Sequence, residues 1–278
     1  MYNYQSLKNV DYDDIVECFN LAFSDYYVPM QLTKEQLQMH FLLSGVDINL
    51  SYGAFIDNQM IGFIFNSSNI FNGEKVVFDV GTGVVPLHRG NKVFTNLFKY
   101  MQKELAKNHI HKYYLEVLQQ NDKAISSYKK QGFNVTRHFV VLNASYDDKA
   151  KTNNNIVYVE FNQFDFNDIT HCINIKPSYE HSINVLKANP NFYDISYIKK
   201  DNMITAYCVY SKVNGSIVQF GYSNIIDMAD IVEALLKRFK NITIKNIDII
   251  YTDLLTMLND IGFKEVCKQF EMVKTIFN

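Results

Sequence analysis

The chain has 278 residues, 47% of them hydrophobic, and its 27 Lys plus Arg nearly balance 29 Asp plus Glu. That is enough apolar chain for one large core or two smaller ones, and it lacks the basic excess typical of nucleic-acid binders. Cys18, Cys172, Cys208 and Cys267 form no CxxC pair, which argues against a disulfide framework or a metal site, and no apolar run approaches the roughly 18 residues that span a bilayer. The N-terminal residues MYNYQSLKNVDYDD lack a secretory pattern, so the expectation is a cytoplasmic protein with no nucleic-acid or membrane partner.

In chain order, Tyr2 to Leu7 reads as a strand and Tyr12 to Phe23 as a helix. Thr33-x-x-Gln36 is a capping box that opens a second helix through about Leu43. Tyr52 to Ile56 and Ile61 to Phe65 read as strands joined by the turn Asp57-Asn58, and Val76 to Val85 as a long strand. From Asn91 to Asn108, the residues Val93, Phe94, Leu97, Phe98, Met101 and Leu105 recur at helical spacing. Tyr113 to Leu118 is a strand, Ala124 to Lys130 a helix and Arg137 to Leu142 a strand. Strands and helices mix without strict alternation, which predicts an α+β fold, a mixed sheet flanked by helices.

The polar stretch Ser145 to Asn155 reads as a linker, and the halves on either side echo one another. Asp11-Tyr-Asp-Asp14-Ile15 returns as Asp165-Phe-Asn-Asp168-Ile169, each predicting a helix start with an Asp N-cap. Tyr128-x-x-x-Gly132-Phe133 returns as Leu258-x-x-x-Gly262-Phe263, a helix closed by glycine before a strand. Met60-Ile61 and Met203-Ile204 each open a strand. The common order predicts two tandem copies of one fold, residues 1–146 and 156–278.

The block from Asp79 to Phe133 carries the chemistry. A strand, VFDVGTGVV, runs into Pro86-Leu-His-Arg89-Gly90-Asn91-Lys92 and then the amphipathic helix. Such a turn aims free backbone N–H groups and the positive end of the helix at one spot, which suits a phosphate. After the next strand comes Asn121-x-x-Ala124-x-x-x-Tyr128-x-x-x-Gly132-Phe133. Val84, Pro86, Arg89 and Gly90, together with this second pattern, resemble the two motifs of the GNAT acetyltransferase superfamily.

The resemblance implies a tandem GNAT-like protein whose first copy is an N-acetyltransferase using acetyl-CoA as co-substrate. It implies that Val84, Val85, Arg89, Gly90, Asn91, Lys92, Val93 and Phe94 hold the pyrophosphate and thioester end. Asn121, Ala124 and Tyr128 would meet the pantetheine arm, and the Tyr128 phenol would protonate the departing thiolate. Where the family has small loop residues, this chain has Lys92 and Phe94. An amine with a pKa near 10 must shed a proton before it attacks a thioester. Asp79 and Glu116, on neighbouring strands, are the candidate bases, and strand alternation decides which faces the cleft. His88, His109 and His111 read as exposed surface. Asp25, Tyr26 and Tyr27 lie between the first two helices, where the family covers its acceptor, and two aromatics with an acid suit a cationic amine.

In the second half Leu258 stands in the place of Tyr128 and Tyr251 in that of Asn121, and no Arg-Gly loop occurs between Gln219 and Asp227. That copy is expected not to bind CoA, leaving it to shape an acceptor pocket, pack on the first copy or form a homodimer. Two rival readings stand. Asp79-Val-Gly81-Thr-Gly83 also resembles the glycine motif of S-adenosylmethionine-dependent methyltransferases, in which a helix follows the glycines directly. A GNAT-like module that binds a small-molecule or peptide ligand without turnover is the other, because fold does not fix function.

Overall fold

The computed structural model describes residues 1–25, 30–146, 155–169 and 172–276. Tyr26, Tyr27 and most of the expected linker lie outside them. Two compact units form: Met1–Val117 with Asn121–Thr136 and Met272–Asn278, and Leu118–Gln120 with Arg137–Glu271.

The first unit contains β1 (Asn3–Ser6), α1 (Tyr12–Ala22), α2 (Lys34–Ser44), β2 (Tyr52–Ile56), β3 (Gln59–Phe71) and β4 (Glu74–Val84). These are followed by α3 (Val93–Lys107), β5 (Lys112–Leu118) and α4 (Asp122–Lys130), and then β6 (Asn134–Ser145) begins. The strand order is β1-β2-β3-β4-β5, with β4 and β5 parallel. The sequence pattern explains the main helices. Thr33 and Gln36 form the capping box that starts α2, and α3 buries Val93, Leu97, Phe98, Met101 and Leu105 as one stripe. On β3, Phe63 and Phe65 stack at 4.3 Å, with Phe19 of α1 at 5.8 Å from Phe63 and Phe41 of α2 at 4.6 Å from Phe65.

The second unit continues with β7 (Ile156–Glu160), β8 (Ile173–Asn174), α5 (Ile183–Leu186), β9 (Tyr193–Lys200), β10 (Met203–Ser211) and β11 (Ile217–Tyr222). Next come α6 (Ile225–Phe239), β12 (Asn241–Asp248), α7 (Thr252–Ile261) and β13 (Lys264–Thr275). The run β9-β10-β11-α6-β12-α7-β13 repeats the element order from β2 to β6, so the tandem reading of the echoes holds for these elements. One expected element differs. The residues after Asp165 form a single 3₁₀ turn, Phe166–Ile169, and not the helix that the Asp spacing predicted.

Two features of β4 position everything that follows. Across β3, Phe65 faces Gly81 while Asn66 faces Asp79, so Val80 is an extra residue on β4. In an unbroken strand, residues 79 and 82 point to opposite faces, and one inserted residue brings them to the same face. The second feature is that β4 and β5 pair only from Val76–Lys112 to Asp79–Leu115. Both strands run on, to Val84 and Leu118, and beyond Asp79 they part.

Gly83 faces α1. A Cβ there would lie 2.6 Å from Phe63 Cζ and 3.0 Å from Ala22 Cβ, closer than packed atoms sit. Because Phe63 is fully buried, it cannot easily move aside. Gly83→Ala is expected to destabilise the protein by about 1–3 kcal/mol, read as a lower urea midpoint at unchanged slope. An unshifted midpoint would mean that the contact with α1 yields freely.

Candidate functional site

Where β4 parts from β5, a cleft of about 470 Å³ opens within the first unit. The end of β4 supplies Thr82, Gly83 and Val84, and the loop and first turn of α3 supply His88, Arg89, Gly90, Lys92, Val93, Phe94 and Thr95. The third wall is one face of α4: Lys123, Ala124, Ser127, Tyr128, Lys130 and Gln131. No lining residue is acidic, whereas Lys92, Lys123 and Lys130 are all cations. The expectations Val84, Arg89, Gly90, Lys92, Val93, Phe94, Ala124 and Tyr128 therefore meet around one space. Val85, Asn91 and Asn121 do not line it.

Tyr128 and Asp79, 49 positions apart, are joined directly. The Tyr128 hydroxyl donates to Asp79 Oδ2 at 3.2 Å, and the Thr82 hydroxyl donates to the same oxygen at 2.7 Å. The second bond exists because the extra residue Val80 turns Asp79 and Thr82 to one face. Asp79 is 8% exposed, and its Oδ1 is buried without a hydrogen-bond partner. Burial pushes its carboxyl up to about 6, against the lowering effect of the bonds from Thr82, Tyr128 and the Gly81 backbone. Phe94, at the loop's expected small position, meets the Tyr128 ring edge-on at 5.6 Å, and Phe133 flanks that ring at 5.6 Å. Its bulk thus supports the tyrosine.

The loop between β4 and α3 leaves the helix start open. Lys92, the N-cap, makes no side-chain cap bond, and it holds the left-handed conformation at φ +59°. Glycine is the usual residue for that conformation, so the loop keeps a glycine-like path through a lysine. The first N–H groups of α3 are without intrahelical acceptors, which makes this end an anion site in waiting. Val85 N–H is bonded to Ile61 O at 2.9 Å, so it cannot serve as an oxyanion donor. Gly62 and Val84 consequently form a non-hydrogen-bonded pair, and Val84 N–H points away from β3.

Arg89 is committed elsewhere. Its guanidinium donates to Asp25 at 2.7 and 2.8 Å and to Ala22 O at 2.8 Å, and its Nε donates to Val84 O at 2.9 Å. It ties the loop to the end of α1 and satisfies a helix-terminal carbonyl. Asp25, expected to meet an amine, is thereby paired, and the hydrogen bond from Arg89 holds its carboxyl below the usual range. Asn121 caps α4, its side chain accepting from Ala124 N–H at 3.2 Å. Glu116 follows Leu115, which faces Asp79 across the ladder. Strand alternation therefore turns Glu116 to the other face from Asp79. His88, read as exposed surface, is half-buried and lines the cleft.

Sequence reasoning missed Thr82, Lys123, Ser127 and Gln131. Of these, Gln131, three positions past Tyr128 at the C-cap of α4, was recoverable from helical spacing. The methyltransferase reading fails on geometry: Gly81 and Gly83 lie inside β4, and α3 does not begin until Val93. In the second unit the corresponding features are closed. Only Ser223 and Asn224 separate β11 from α6, and the Asn224 side chain caps α6 by accepting from Ile226 N–H. Leu258 is fully buried in that unit's core.

A mixed sheet flanked by helices, with a cleft walled by the end of β4, the open start of α3 and one face of α4, is a fold of the GNAT acetyltransferase type. The comparisons agree: residues 12–133 match the Acetyltransferase (GNAT) family model. Among solved structures, a GCN5-related N-acetyltransferase from Sphaerobacter thermophilus is similar in fold, with a TM-score of 0.71 and 12% identity, covering 100% of this chain and 96% of that one. A tandem GNAT protein from the clavulanic acid biosynthesis pathway gives 0.63 and 8%, covering 100% and 99%. A GCN5-related N-acetyltransferase from Anabaena variabilis gives 0.60 and 11%, covering 100% and 73%. No curated protein matches the chain significantly in sequence. Among the described residues, no helix is long and apolar enough to cross a membrane.

The buried carboxylate has a measurable signature. Because the folded-state pKa of Asp79 is raised to about 6 from 3.8, the fold binds that proton more tightly than the unfolded chain does. Stability is therefore lost as pH rises from about 4 to 6. Asp79→Asn removes this loss, so the variant should gain on the wild type by about 3 kcal/mol above pH 7 and by almost nothing at pH 4. Denaturation at several pH values checks it, and a pH-independent difference would contradict the assignment.

Proposed function

We propose that the first unit transfers an acetyl group from acetyl-CoA to a primary amine by direct attack. The observation that carries this reading is the Tyr128–Asp79 hydrogen bond at a cleft whose other end is an uncapped helix start. A proton donor and a proton acceptor stand on one side, and an anion site on the other, joined by one space.

In this reading the N–H groups at the start of α3 bind the pyrophosphate, with Lys92 and Lys123 adding positive charge. The Arg89 side chain braces the loop and leaves the phosphates to those groups. Val84 N–H polarises the thioester carbonyl as negative charge develops on its oxygen. Asp79, with a pKa near neutrality, is the base. Tyr128 gives its proton to the departing thiolate. Aromatic neighbours hold that phenol in place, since Phe94 and Phe133 contact its ring from two sides.

The acceptor is a small-molecule or peptide amine. Support for an amine comes from the chemistry. A carboxylate with a pKa of about 6 is ionised at neutral pH and can accept the proton that a neutral amine must lose once its nitrogen has bonded to the carbonyl carbon. The match of residues 12–133 to the acetyltransferase family model supports acyl transfer in general.

Tyr128→Phe tests this reading. The variant should lose roughly 10²-fold in kcat, while its affinity for acetyl-CoA stays within about twofold, since the ring and its packing remain. Steady-state kinetics with an amine found by screening, together with calorimetric binding of acetyl-CoA, measures both. Wild-type turnover in the variant would remove the acid from the mechanism.

A further inference from the structure

Resting on the reading of this cleft as an acetyl-transfer site, we propose that Thr82, Asp79 and Tyr128 form one proton conduit, in which the proton enters at Thr82 and leaves at Tyr128. Thr82 and Tyr128 both line the cleft, and Asp79 lies behind them, out of it. Both hydroxyls donate to the same carboxylate oxygen, Oδ2, at 2.7 and 3.2 Å. The other oxygen, Oδ1, is buried and has no hydrogen-bond partner among the described residues. A base walled off in this way exchanges protons with the cleft through the hydroxyls that touch it, and a single oxygen bridges them.

The steps balance. After the amine nitrogen bonds to the thioester carbon, it carries one proton too many. That proton passes to Thr82 Oγ1 as the threonine's own proton passes to Asp79 Oδ2. The carbon–sulfur bond breaks and its electron pair leaves with sulfur. The Tyr128 proton then goes to the thiolate, and the proton on Oδ2 replaces it on the phenol oxygen. Thr82, Asp79 and Tyr128 end as they began, and one proton has moved from nitrogen to sulfur. Acid and base are thus a single ionising system, with Thr82 a catalytic residue in contact with the substrate amine.

The extra residue at Val80 makes this arrangement available, since it brings residues 79 and 82 to one face. Among the described residues, the titratable groups that face Asp79 from the elements packed against it are two phenols. They are Tyr128 from α4 and Tyr113 from β5, the latter also bonded to Asn66 of β3 at 2.6 Å. The carboxylate's protonation is therefore governed by burial, by the two hydroxyls on Oδ2 and by the Gly81 backbone. Removing the Thr82 donor takes away a bond that stabilises the anion, so the Asp79 midpoint must rise.

The test compares Thr82→Val, which keeps the shape and loses the hydroxyl, with Thr82→Ser, which keeps the hydroxyl. Thr82→Val is expected to lower kcat at least about tenfold with acetyl-CoA affinity unchanged, and to move the acid limb of the pH–rate profile to higher pH. Thr82→Ser should restore both. In parallel, carbon-detected NMR titration of the aspartate carboxyls follows Asp79 without any need for turnover. Its midpoint should rise in Thr82→Val and stay in Thr82→Ser. A Thr82→Val enzyme with wild-type kcat and an unmoved acid limb would overturn the conduit, as would an unmoved Asp79 midpoint. A wild type that binds acetyl-CoA yet acetylates no amine would instead bring down the transferase reading, and the conduit with it.

Discussion

The site depends on the early end of one strand pairing. β4 and β5 hold a parallel ladder for four residue pairs, up to Asp79 and Leu115, and then diverge. A continuous ladder would have sealed the space between them with backbone hydrogen bonds. Divergence frees the edge of β4, so that Val84 N–H is not spent on a neighbour, and it opens the cleft onto α3 and α4. The extra residue at Val80 acts at the same place. It turns Thr82 and Asp79 to one face and leaves Gly83 to pack against Phe63 and Ala22. One local irregularity thus serves both the chemistry and the fit of the sheet to α1.

Charge is arranged to match. The buried carboxylate of Asp79 is costly to ionise, and the bonds from Thr82 and Tyr128 offset only part of that cost. Exposed lysines line the same cleft, Lys92 at the uncapped start of α3 and Lys123 and Lys130 on α4. The second unit repeats the element order and lacks these features. Its strand-to-helix link is two residues long, its helix is capped by Asn224, and Leu258 fills a core position. In that unit the side chain of Tyr251 has a structural task, its hydroxyl accepting from Lys176 N–H at 2.9 Å.

Much of this was legible in the sequence. The apolar spacing from Val93 to Leu105 marked α3 and its buried stripe, and the glycines at 132 and 262 marked the ends of α4 and α7. The motifs around Arg89 and Tyr128 pointed to two walls of the cleft. Other features could not be read. Strict alternation along β4 assigns residues 79 and 82 to opposite faces, so the bond from Thr82 to Asp79 was hidden by a bulge that leaves no mark in residue types. Arg89 read as a phosphate ligand because its partner Asp25 lies 64 positions away, and only the folded chain brings α1 to the loop. Phe94 read only as a departure from the family's small loop residues, since its contact with Tyr128 crosses between two helices. The turn after Asp165 shows the converse error, in which helix-start chemistry is present and no amphipathic stripe follows to sustain a helix.

Under the proposed function, the cleft walled by the end of β4, the start of α3 and α4 holds an acyl-CoA. Calorimetric titration of the full chain with acetyl-CoA tests it most directly, with S-adenosylmethionine as the control. Micromolar binding at one site per chain is expected, and none of the control ligand. An absence of acetyl-CoA binding at millimolar concentration would contradict it, and would mean that Lys92 and Phe94 close the loop to the phosphates they are held here to face.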